Sequence, residues 1–532
     1  MKKKIVSLLL VSVMAASLAA CGSTSGEGAS NAGTEKIDAN KTIKEETTEQ
    51  VETAEIDMEE EAYDVAIQVV VFPGSDYSEL ETKMEEACNA ITLPAINCTT
   101  DIQFVWISEL NNTTSMAVAG DEKIDIISVA TVQTLSTISG SEMLYDLDTD
   151  NLLASHGPVI CELFADTLNA GYVNGQQLAI PAQTTMGTRK GIYYNKTYAD
   201  KYGITVPEKL DIETLTDIFD QIAAADDGDW TEQYGAKMTG WFAGGGTLNQ
   251  AYWLYGYAAS FGTEGSYGII RDESNMVVEN LYASDLFKEY CEYCYRWRQN
   301  GEIKNDSTDS ESSQSYIANG TCFCTASDLN PTQEANFYST GQNNGFEIGF
   351  AYFTEPAVTA SNVTEYMWGV ATNSERPDKC VDFLNLLYSN ADLANILMYG
   401  LEGENYEKVS DTQLVQNGSY SASFYRGGNT LEMMTNSTSD TYFQDWEDFM
   451  DGISVSKLVA YSFDDTDFQT ESSVLNTTIT KYLPMLQNGT FDSEDEMYAW
   501  LDEFNAALES AGINDVIAAN QAQLDAYLEA IQ

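Results

Sequence analysis

Residues 171–204, GYVNGQQLAIPAQTTMGTRKGIYYNKTYADKYGI, decide the fold of this chain. The stretch contains two short apolar runs, 178–182 and 191–194, and a polar segment, 183–190, separates them. Asn174-Gly175 before the first run is a turn dipeptide, and the residues from Lys196 onwards have the pattern of a starting helix. We therefore predict that the chain leaves one hydrophobic core here and enters another. A polar segment at such a crossing lies between two bodies, where ligands are often bound.

The size and charge of the chain narrow its class. At 532 residues it is too long for one ordinary core, which predicts two or more lobes. It has 25 Lys and Arg residues against 83 Asp and Glu residues, so the net charge is −58. Phosphate backbones and anionic lipids repel such a chain. Binding of nucleic acid, or docking to a membrane through a basic patch, is therefore not expected.

The first 62 residues predict export and anchoring. Residues 1–20 have a Lys-rich start and a short apolar run, which is the pattern of a signal peptide rather than of a membrane span. Leu18-Ala19-Ala20-Cys21 resembles a bacterial lipobox, in which the thiol of Cys21 is lipidated; an ordinary cleaved signal peptide is the alternative. Residues 21–62 are then the lipidated cysteine and a solvated, disordered tether.

The remaining cysteines and the single histidine carry little chemistry by themselves. Outside the cell disulfide bonds are possible, and Cys88 with Cys98, ten positions apart, is the candidate pair. Cys291-x-x-Cys294 suggests a metal or redox site, but no second pair matches its spacing, so packed thiols are the preferred interpretation. His156 is the only histidine, which weakens any Ser-His or Cys-His catalytic proposal. We expect no metal ion, no cofactor and no enzyme activity.

Strands that alternate with helices predict an α/β lobe with a mostly parallel sheet. Apolar runs at 64–72, 101–107 and 123–129 read as strands, with a helix at 79–91 after the first of them. Ligands meet such sheets at the loops after the carboxyl ends of the strands. These loops nominate three residues: Asp76, Thr131 and Gln133.

Residues 240–262, GWFAGGGTLNQAYWLYGYAASFG, crowd aromatic side chains among glycines. Such a stripe is usually core, but the glycines allow close approach of a ligand, and Asn249 adds an amide. We nominate Trp241, Asn249 and Trp253. Further along, strands are predicted at 321–326, 347–353 and 367–372, and Pro377, Asn390 and Ser493 mark the starts of helices.

The order of these motifs resembles the extracellular solute-binding proteins of ABC importers, the sugar-binding group to which maltose-binding protein belongs. Four stretches carry the resemblance. KIDIISV (123–129) resembles the strand before the first ligand loop, and residues 173–204 resemble the hinge crossing. MWGVATNSERPDKCVDFLNLLYSNADLANILMYG (367–400) resembles a strand-helix-helix unit of the family. LMYGLEGENYEKV (397–409) with the ending at 507–531 resembles a lipoprotein subgroup of Gram-positive bacteria.

The resemblance implies a periplasmic-binding-protein-like α/β fold, with two α/β lobes joined by a hinge and a ligand cleft between them. Lobe 1 is expected over 63–182 and about 355–405, and lobe 2 over 183–354 and about 406–532. Sugar rings stack on aromatic side chains, while polar side chains satisfy the hydroxyl groups. The resemblance implies these ligand-binding residues: Asp76, Thr131, Gln133, Thr184, Thr185, Trp241, Asn249, Trp253, Ser327, Asp328 and Trp368.

The function implied is that of a lipid-anchored, extracellular substrate-binding subunit on the outer face of the cytoplasmic membrane. It would bind an oligosaccharide and deliver it to permease subunits and their ATPase. A peptide or another polar solute is an alternative ligand, and a surface glycosidase is a further alternative, since two carboxylates suffice for that reaction. Maltose-binding protein has an aromatic and charged residues in its first ligand loop and a Glu in its hinge crossing, whereas residues 129–133 and 183–185 here are uncharged, so maltose specificity is not implied. Arg189 and Lys190 are expected at the lobe surface, away from a neutral sugar.

Overall fold

The computed structural model describes residues 52–72, 77–242, 251–304, 313–422, 427–437 and 439–531; the side chains of residues 241, 242, 253, 304, 313 and 314 are outside this description. The strands are β1 (Tyr63–Val71), β2 (Cys98–Trp106), β3 (Ile126–Ala130), β4 (Tyr172–Val173), β5 (Gln176–Gln177), β6 (Ile180–Pro181), β7 (Arg189–Asn195), β8 (Thr239–Phe242), β9 (Ala259–Ser260), β10 (Ile269–Ile270), β11 (Ile303–Lys304), β12 (Cys322–Leu329), β13 (Ile348–Tyr352), β14 (Ala357–Val358), β15 (Tyr366–Val370), β16 (Tyr406–Lys408), β17 (Leu414–Gln416) and β18 (Ser454–Val455).

The α-helices are α1 (Ser78–Ile96), α2 (Leu110–Ala119), α3 (Leu135–Gly140), α4 (Leu152–His156), α5 (Pro158–Leu163), α6 (Lys196–Tyr202), α7 (Ile212–Ala224), α8 (Gly228–Tyr234), α9 (Ala251–Tyr255), α10 (Asp285–Gln299), α11 (Ser313–Ala318), α12 (Pro331–Asn344), α13 (Ala360–Thr364), α14 (Pro377–Ser389), α15 (Ala391–Tyr399), α16 (Tyr442–Met450), α17 (Gln469–Gln487), α18 (Glu494–Ser510) and α19 (Ile513–Ala530). Within the described residues, none of these helices is long and apolar enough to cross a lipid bilayer.

The first lobe is built on a five-stranded sheet of order β2-β1-β3-β15-β6. Strands β1, β2 and β3 run parallel, whereas β15 runs antiparallel to β3 and to β6. Residues Val65 to Val71 of β1 are all buried, which explains the unbroken apolar run in the sequence. Helices α1, α14 and α15 pack on one another over this sheet and complete the core of the lobe.

The second lobe has its own five-stranded sheet, of order β11-β8-β12-β7-β13. Strand β7 is antiparallel to both of its neighbours, β12 and β13, while β8, β11 and β12 are parallel. Helices α7, α10, α17 and α18 contribute to one large core with β7 and β12. The protein therefore has two α/β lobes, as predicted.

The lobes are joined by segments that the structure places side by side. Residues 182–188 lead from β6 into β7, as the sequence predicted, and Thr188 pairs with Ala357 at the next crossing. There β14 pairs in parallel with β18, so a later part of the chain also lies at the hinge. The eight peptide steps from β6 to β7 reach at most about 28 Å. The edges of the two sheets at which these strands end and begin must therefore lie near each other.

Sequence signals placed the helix ends well. The side chain of Asn390 accepts a hydrogen bond from the Leu393 amide at 3.0 Å and caps α15. That of Ser493 accepts one from the Glu496 amide at 3.2 Å and caps α18. Helix α1, in contrast, continues to Ile96, five residues beyond its predicted end, and includes Pro94.

Two of the predicted boundaries were wrong. Residues 406–422 and 427–435 pack on the first lobe and not on the second, because Tyr406, Leu414, Tyr420 and Met433 belong to its core. The tether also ends earlier than residue 62. The Glu60 carboxylate pairs with Arg376 at 3.0 Å and with Lys379 at 2.9 Å, so the last residues before β1 are held on the first lobe.

Candidate functional site

The first lobe presents the carboxyl ends of β1, β2 and β3 at the edge that faces the crossing. Trp106 ends β2, directly beside Val71 at the end of β1. Phe72 and Trp106 are 46% and 42% exposed, which is high for aromatic side chains. Exposed rings at the end of a sheet offer apolar faces on which a sugar ring can stack.

The turn after β3 separates two of the predicted ligand residues. Thr131 is exposed at this edge. Gln133 is 0% exposed; its amide nitrogen donates to the Ser128 carbonyl at 2.8 Å, and its backbone N–H donates to the Ala130 carbonyl at 2.9 Å. The Gln133 side chain therefore holds the turn in place, and in this conformation it presents no surface to a ligand.

Thr184 and Thr185 lie in the crossing but already have partners. The Thr185 hydroxyl lies 2.8 Å from that of Thr430, which also accepts the Thr185 amide at 3.0 Å. The Thr184 hydroxyl donates to the Asn429 side chain at 3.0 Å and accepts the Thr430 amide at 3.1 Å. These two threonines bind residues 429–430 to the crossing, so their hydroxyl groups are largely satisfied within the protein.

The second lobe contributes a polar group at the matching edge of its sheet. Asp328, near the end of β12, pairs in the ladder with Lys190, at the start of β7. The Lys190 ammonium lies 4.2 Å from the centre of the Tyr252 ring, on α9. Ser327 is half-buried beside Asp328, and its hydroxyl donates to the Asp328 carbonyl at 3.1 Å. Ser327 and Asp328 thus lie at the edge of the second sheet where the crossing enters it, and their part in ligand binding stays a prediction.

The expectation that Lys190 lies at the lobe surface was wrong. Lys190 is 7% exposed, and burial lowers the pKa of its ammonium group, an effect that the Asp328 carboxylate opposes. Arg189 points to the other face of the sheet. There its guanidinium stacks 3.4 Å from the centre of the Tyr352 ring and donates to Glu334 at 3.0 Å.

Trp368 does not reach the cleft in this structure. It lies on β15, opposite Ser128 of β3 and Ile180 of β6, and is 1% exposed within the core of the first lobe. Its position between two strands in the middle of the sheet explains this burial. A ring enclosed on both sides has no face for a sugar.

Several predicted residues fall wholly or partly outside the described residues. Asp76, Asn249 and the lipidation residue Cys21 lie outside them. The backbone of Trp241 is at the end of β8, where it pairs with Cys324, and that of Trp253 is in α9, but their side chains are not described. The roles of all five residues stay predictions.

The structure gives the thiols and the histidine structural surroundings. The eight described cysteines are free, so Cys88 and Cys98 are not bonded to each other, and burial raises the pKa of the Cys294 thiol to about 12. Among the described residues no group of His, Cys, Asp and Glu side chains is arranged to hold a metal ion. His156 pairs with Asp382 at 2.7 Å, which raises its pKa.

Sequence reasoning missed Trp106, Lys190, Tyr252 and Thr430. Tyr252 was within the aromatic segment that we singled out, and the position of Trp106 at the end of a predicted strand was an available signal. Nothing in the sequence, however, marks Thr430 as a partner of Thr184, because 246 positions separate them.

Two α/β lobes with facing sheet edges, joined by paired crossing segments, define a two-lobed solute-binding fold. A carbohydrate ABC transporter substrate-binding protein of Streptococcus pneumoniae serotype 4 is 23% identical to this chain over 368 residues, which are 67% of this chain and 70% of that protein. Residues 457–529 match the family model described as "Domain of unknown function (DUF3502)".

Solved structures give the same result for the fold. The crystal structure of the N-glycan transport solute binding protein (NgtS) from Streptococcus pneumoniae is 19% identical and superposes with a TM-score of 0.71, covering 88% of this chain and 100% of that chain. NgtS in complex with Man5GlcNAc is 18% identical with a TM-score of 0.58, covering 88% and 99%. The resemblance to the solute-binding proteins of ABC importers is thereby confirmed, and this chain has their fold.

Proposed function

We propose that this protein is the extracellular substrate-binding subunit of a carbohydrate ABC importer. In this proposal it binds an oligosaccharide in the cleft between its lobes and passes it to permease subunits. The observation that carries the proposal is the pair of facing sheet edges, with exposed Phe72 and Trp106 on one lobe and Lys190, Tyr252 and Asp328 on the other. Aromatic faces and paired polar groups are what a sugar requires.

The relatives support this choice of ligand class. The similar protein of Streptococcus pneumoniae is named a carbohydrate ABC transporter substrate-binding protein, and NgtS was solved in complex with Man5GlcNAc. We therefore propose a glycan of N-glycan type as the first ligand to test. We further propose that Cys21 carries a lipid anchor that keeps the protein on the outer face of the cytoplasmic membrane.

The test is isothermal titration calorimetry of the purified full-length chain with Man5GlcNAc, followed by recovery of the glycan. We expect saturable binding and an unaltered glycan, because a binding subunit releases its ligand intact. Shortened glycan in the recovered material would contradict the proposal and favour a glycosidase. A set of unrelated disaccharides and a short peptide, titrated in the same way, controls for the ligand class; binding of the peptide alone would favour the alternative of a peptide carrier.

A further inference from the structure

Lys190 is a buried cation at the edge of the second lobe that adjoins the crossing. It is the second residue of β7, directly after the crossing, and it faces the side of the sheet on which α9 packs. Its ladder partner Asp328 stands on the same face, because residues directly opposite in an antiparallel pair share a face. We call Lys190, Tyr252 and Asp328 the lysine cluster.

The surroundings of Lys190 leave its hydrogen-bonding capacity unused. Within the described part of the chain, the Lys190 Nζ makes no hydrogen bond and no ion pair; its contact is with the face of the Tyr252 ring. An ammonium group carries three donors. Asp328 acts on it through its charge. The lysine cluster therefore offers unused donors beside a carboxylate.

Such an arrangement is costly for the folded state. Burying an ammonium group removes its hydration, and a buried charge lacking full hydrogen bonding destabilises a protein relative to an apolar side chain of similar volume. The adjacent residue Arg189, in contrast, forms an ion pair with Glu334, which is the usual way in which a partly buried cation is stabilised. Strain and unsatisfied groups of this kind concentrate where a ligand completes the site.

We infer that the lysine cluster binds two neighbouring hydroxyl groups of an uncharged glycan, with Lys190 donating to one and Asp328 accepting from the other. The inference rests on the proposed function and names the kind of sugar that the site accepts. An ammonium group beside a carboxylate presents a donor and an acceptor together, and a vicinal diol presents the complementary pair.

The charges argue against an acidic glycan at this place. A carboxylate on the ligand would meet Asp328 at short range, and the chain as a whole carries a net charge of −58. Like charges that are brought together in a desolvated site cost far more than they do in water. Recognition by the cluster therefore favours neutral sugars over sialylated ones.

The experiment compares variants of the full-length chain by calorimetry with Man5GlcNAc. Lys190→Met keeps the length of the side chain and removes its charge; Lys196→Met, at the first residue of α6 directly after the strand and paired on the surface with Asp200, is the matched control. We expect K190M to lose affinity about tenfold or more, because a charge-assisted hydrogen bond to the ligand is lost. Asp328→Asn should also bind more weakly, and K196M should bind like the wild type.

Thermal melting separates a role in binding from a role in folding. K190M should melt at the same temperature as the wild type or higher, since the desolvated charge is gone. A lower melting temperature with unchanged affinity would assign Lys190 to the fold and overturn the inference. A biantennary N-glycan with and without its sialic acids tests the charge. Tighter binding of the sialylated form by the wild type would overturn the preference for neutral sugars.

The outcomes distinguish the two proposals. If the wild type binds none of these glycans, the proposed function fails and the inference fails with it. If the wild type binds Man5GlcNAc and K190M binds it equally well, only the inference fails.

Discussion

Glu302 is a buried carboxylic acid that lies near both a negatively charged and a positively charged side chain. It is 3% exposed and lies just before β11; the Asn300 side chain donates to its carboxylate at 3.1 Å, and Asp220, which Arg296 contacts at 2.7 Å, lies beside it. Burial is the main cause that raises the pKa of Glu302, and the contact with Asp220 raises it further, from 4.5 to about 7 in all. The folded protein therefore holds a proton on this group over a pH range in which the unfolded chain has released it.

The pH dependence of stability follows from this proton. A group whose pKa is raised by folding gives its full stabilisation below its unfolded pKa of 4.5, and this stabilisation is lost as the pH rises through about 7. We predict that Glu302→Gln, which mimics the protonated form, is more stable than the wild type at pH 8 and that the difference narrows towards pH 5. Urea unfolding of both proteins at pH 5 and at pH 8 measures this difference in the free energy of unfolding.

Glu407→Gln is the control, because Glu407 is exposed on β16. The Glu407→Gln variant should change the free energy of unfolding little at either pH. Equal pH profiles for E302Q and the wild type would show that Glu302 is ionised in the folded state and contradict the prediction.

At the scale of elements, the crossing between the lobes is held by a partner from far along the chain. The Thr430 hydroxyl lies within 3.1 Å of both the Thr184 and Thr185 hydroxyls and accepts the Thr185 amide. The Gly428 amide adds a bond to the Ala182 carbonyl at 3.0 Å. Residues 428–430 therefore brace the first part of the hinge against the first lobe.

We predict that Thr430→Val lowers the free energy of unfolding by about 1–3 kcal/mol, since Val keeps the shape but leaves these hydrogen-bonding groups without their partner. Chemical denaturation gives the value. Thr480→Val is the matched control, because the Thr480 hydroxyl is exposed and bonds only within its own helix, to the Asn476 carbonyl. Equal losses in the two variants would mean that the hinge contacts contribute nothing specific.

At the scale of the molecule, the N-terminal segment attaches to the back of the first lobe before the fold begins. Asn97 donates from its side chain to the Asp57 and Glu60 carbonyls, and Glu60 pairs with Arg376 and Lys379. Any membrane anchor at the N-terminus is therefore connected to the protein through the first lobe. In the proposed function, the second lobe is then the one that moves when the cleft closes.

We predict that labelled palmitate enters the wild-type protein and that Cys21→Ser abolishes the label and releases the protein from the membrane fraction. Acyl chains bind membranes through the burial of their CH₂ groups, at about 0.8 kcal/mol each. Cys161→Ser, at a half-buried cysteine of the fold, should keep both label and membrane association. Membrane association of C21S without label would contradict anchoring through Cys21.

The sequence by itself determined the elements and their order. Buried strands such as 64–72, capped helices such as those after Asn390 and Ser493, and the crossing at 183–190 depend on local pattern, because periodicity and capping act over a few residues. The two lobes followed from the same patterns together with the length of the chain. The aromatic segment was also visible, although its part in the site was not.

Only the tertiary structure decided which polar and aromatic groups remain available to a ligand. Gln133 and Trp368 are buried by neighbours in the sheet, Thr184 and Thr185 are bound by Thr430, and Lys190 is enclosed by Tyr252 and Asp328. Each of these outcomes depends on contacts between residues far apart in the chain. Burial and hydrogen-bond satisfaction are properties of the packed surface, and a linear pattern does not contain them.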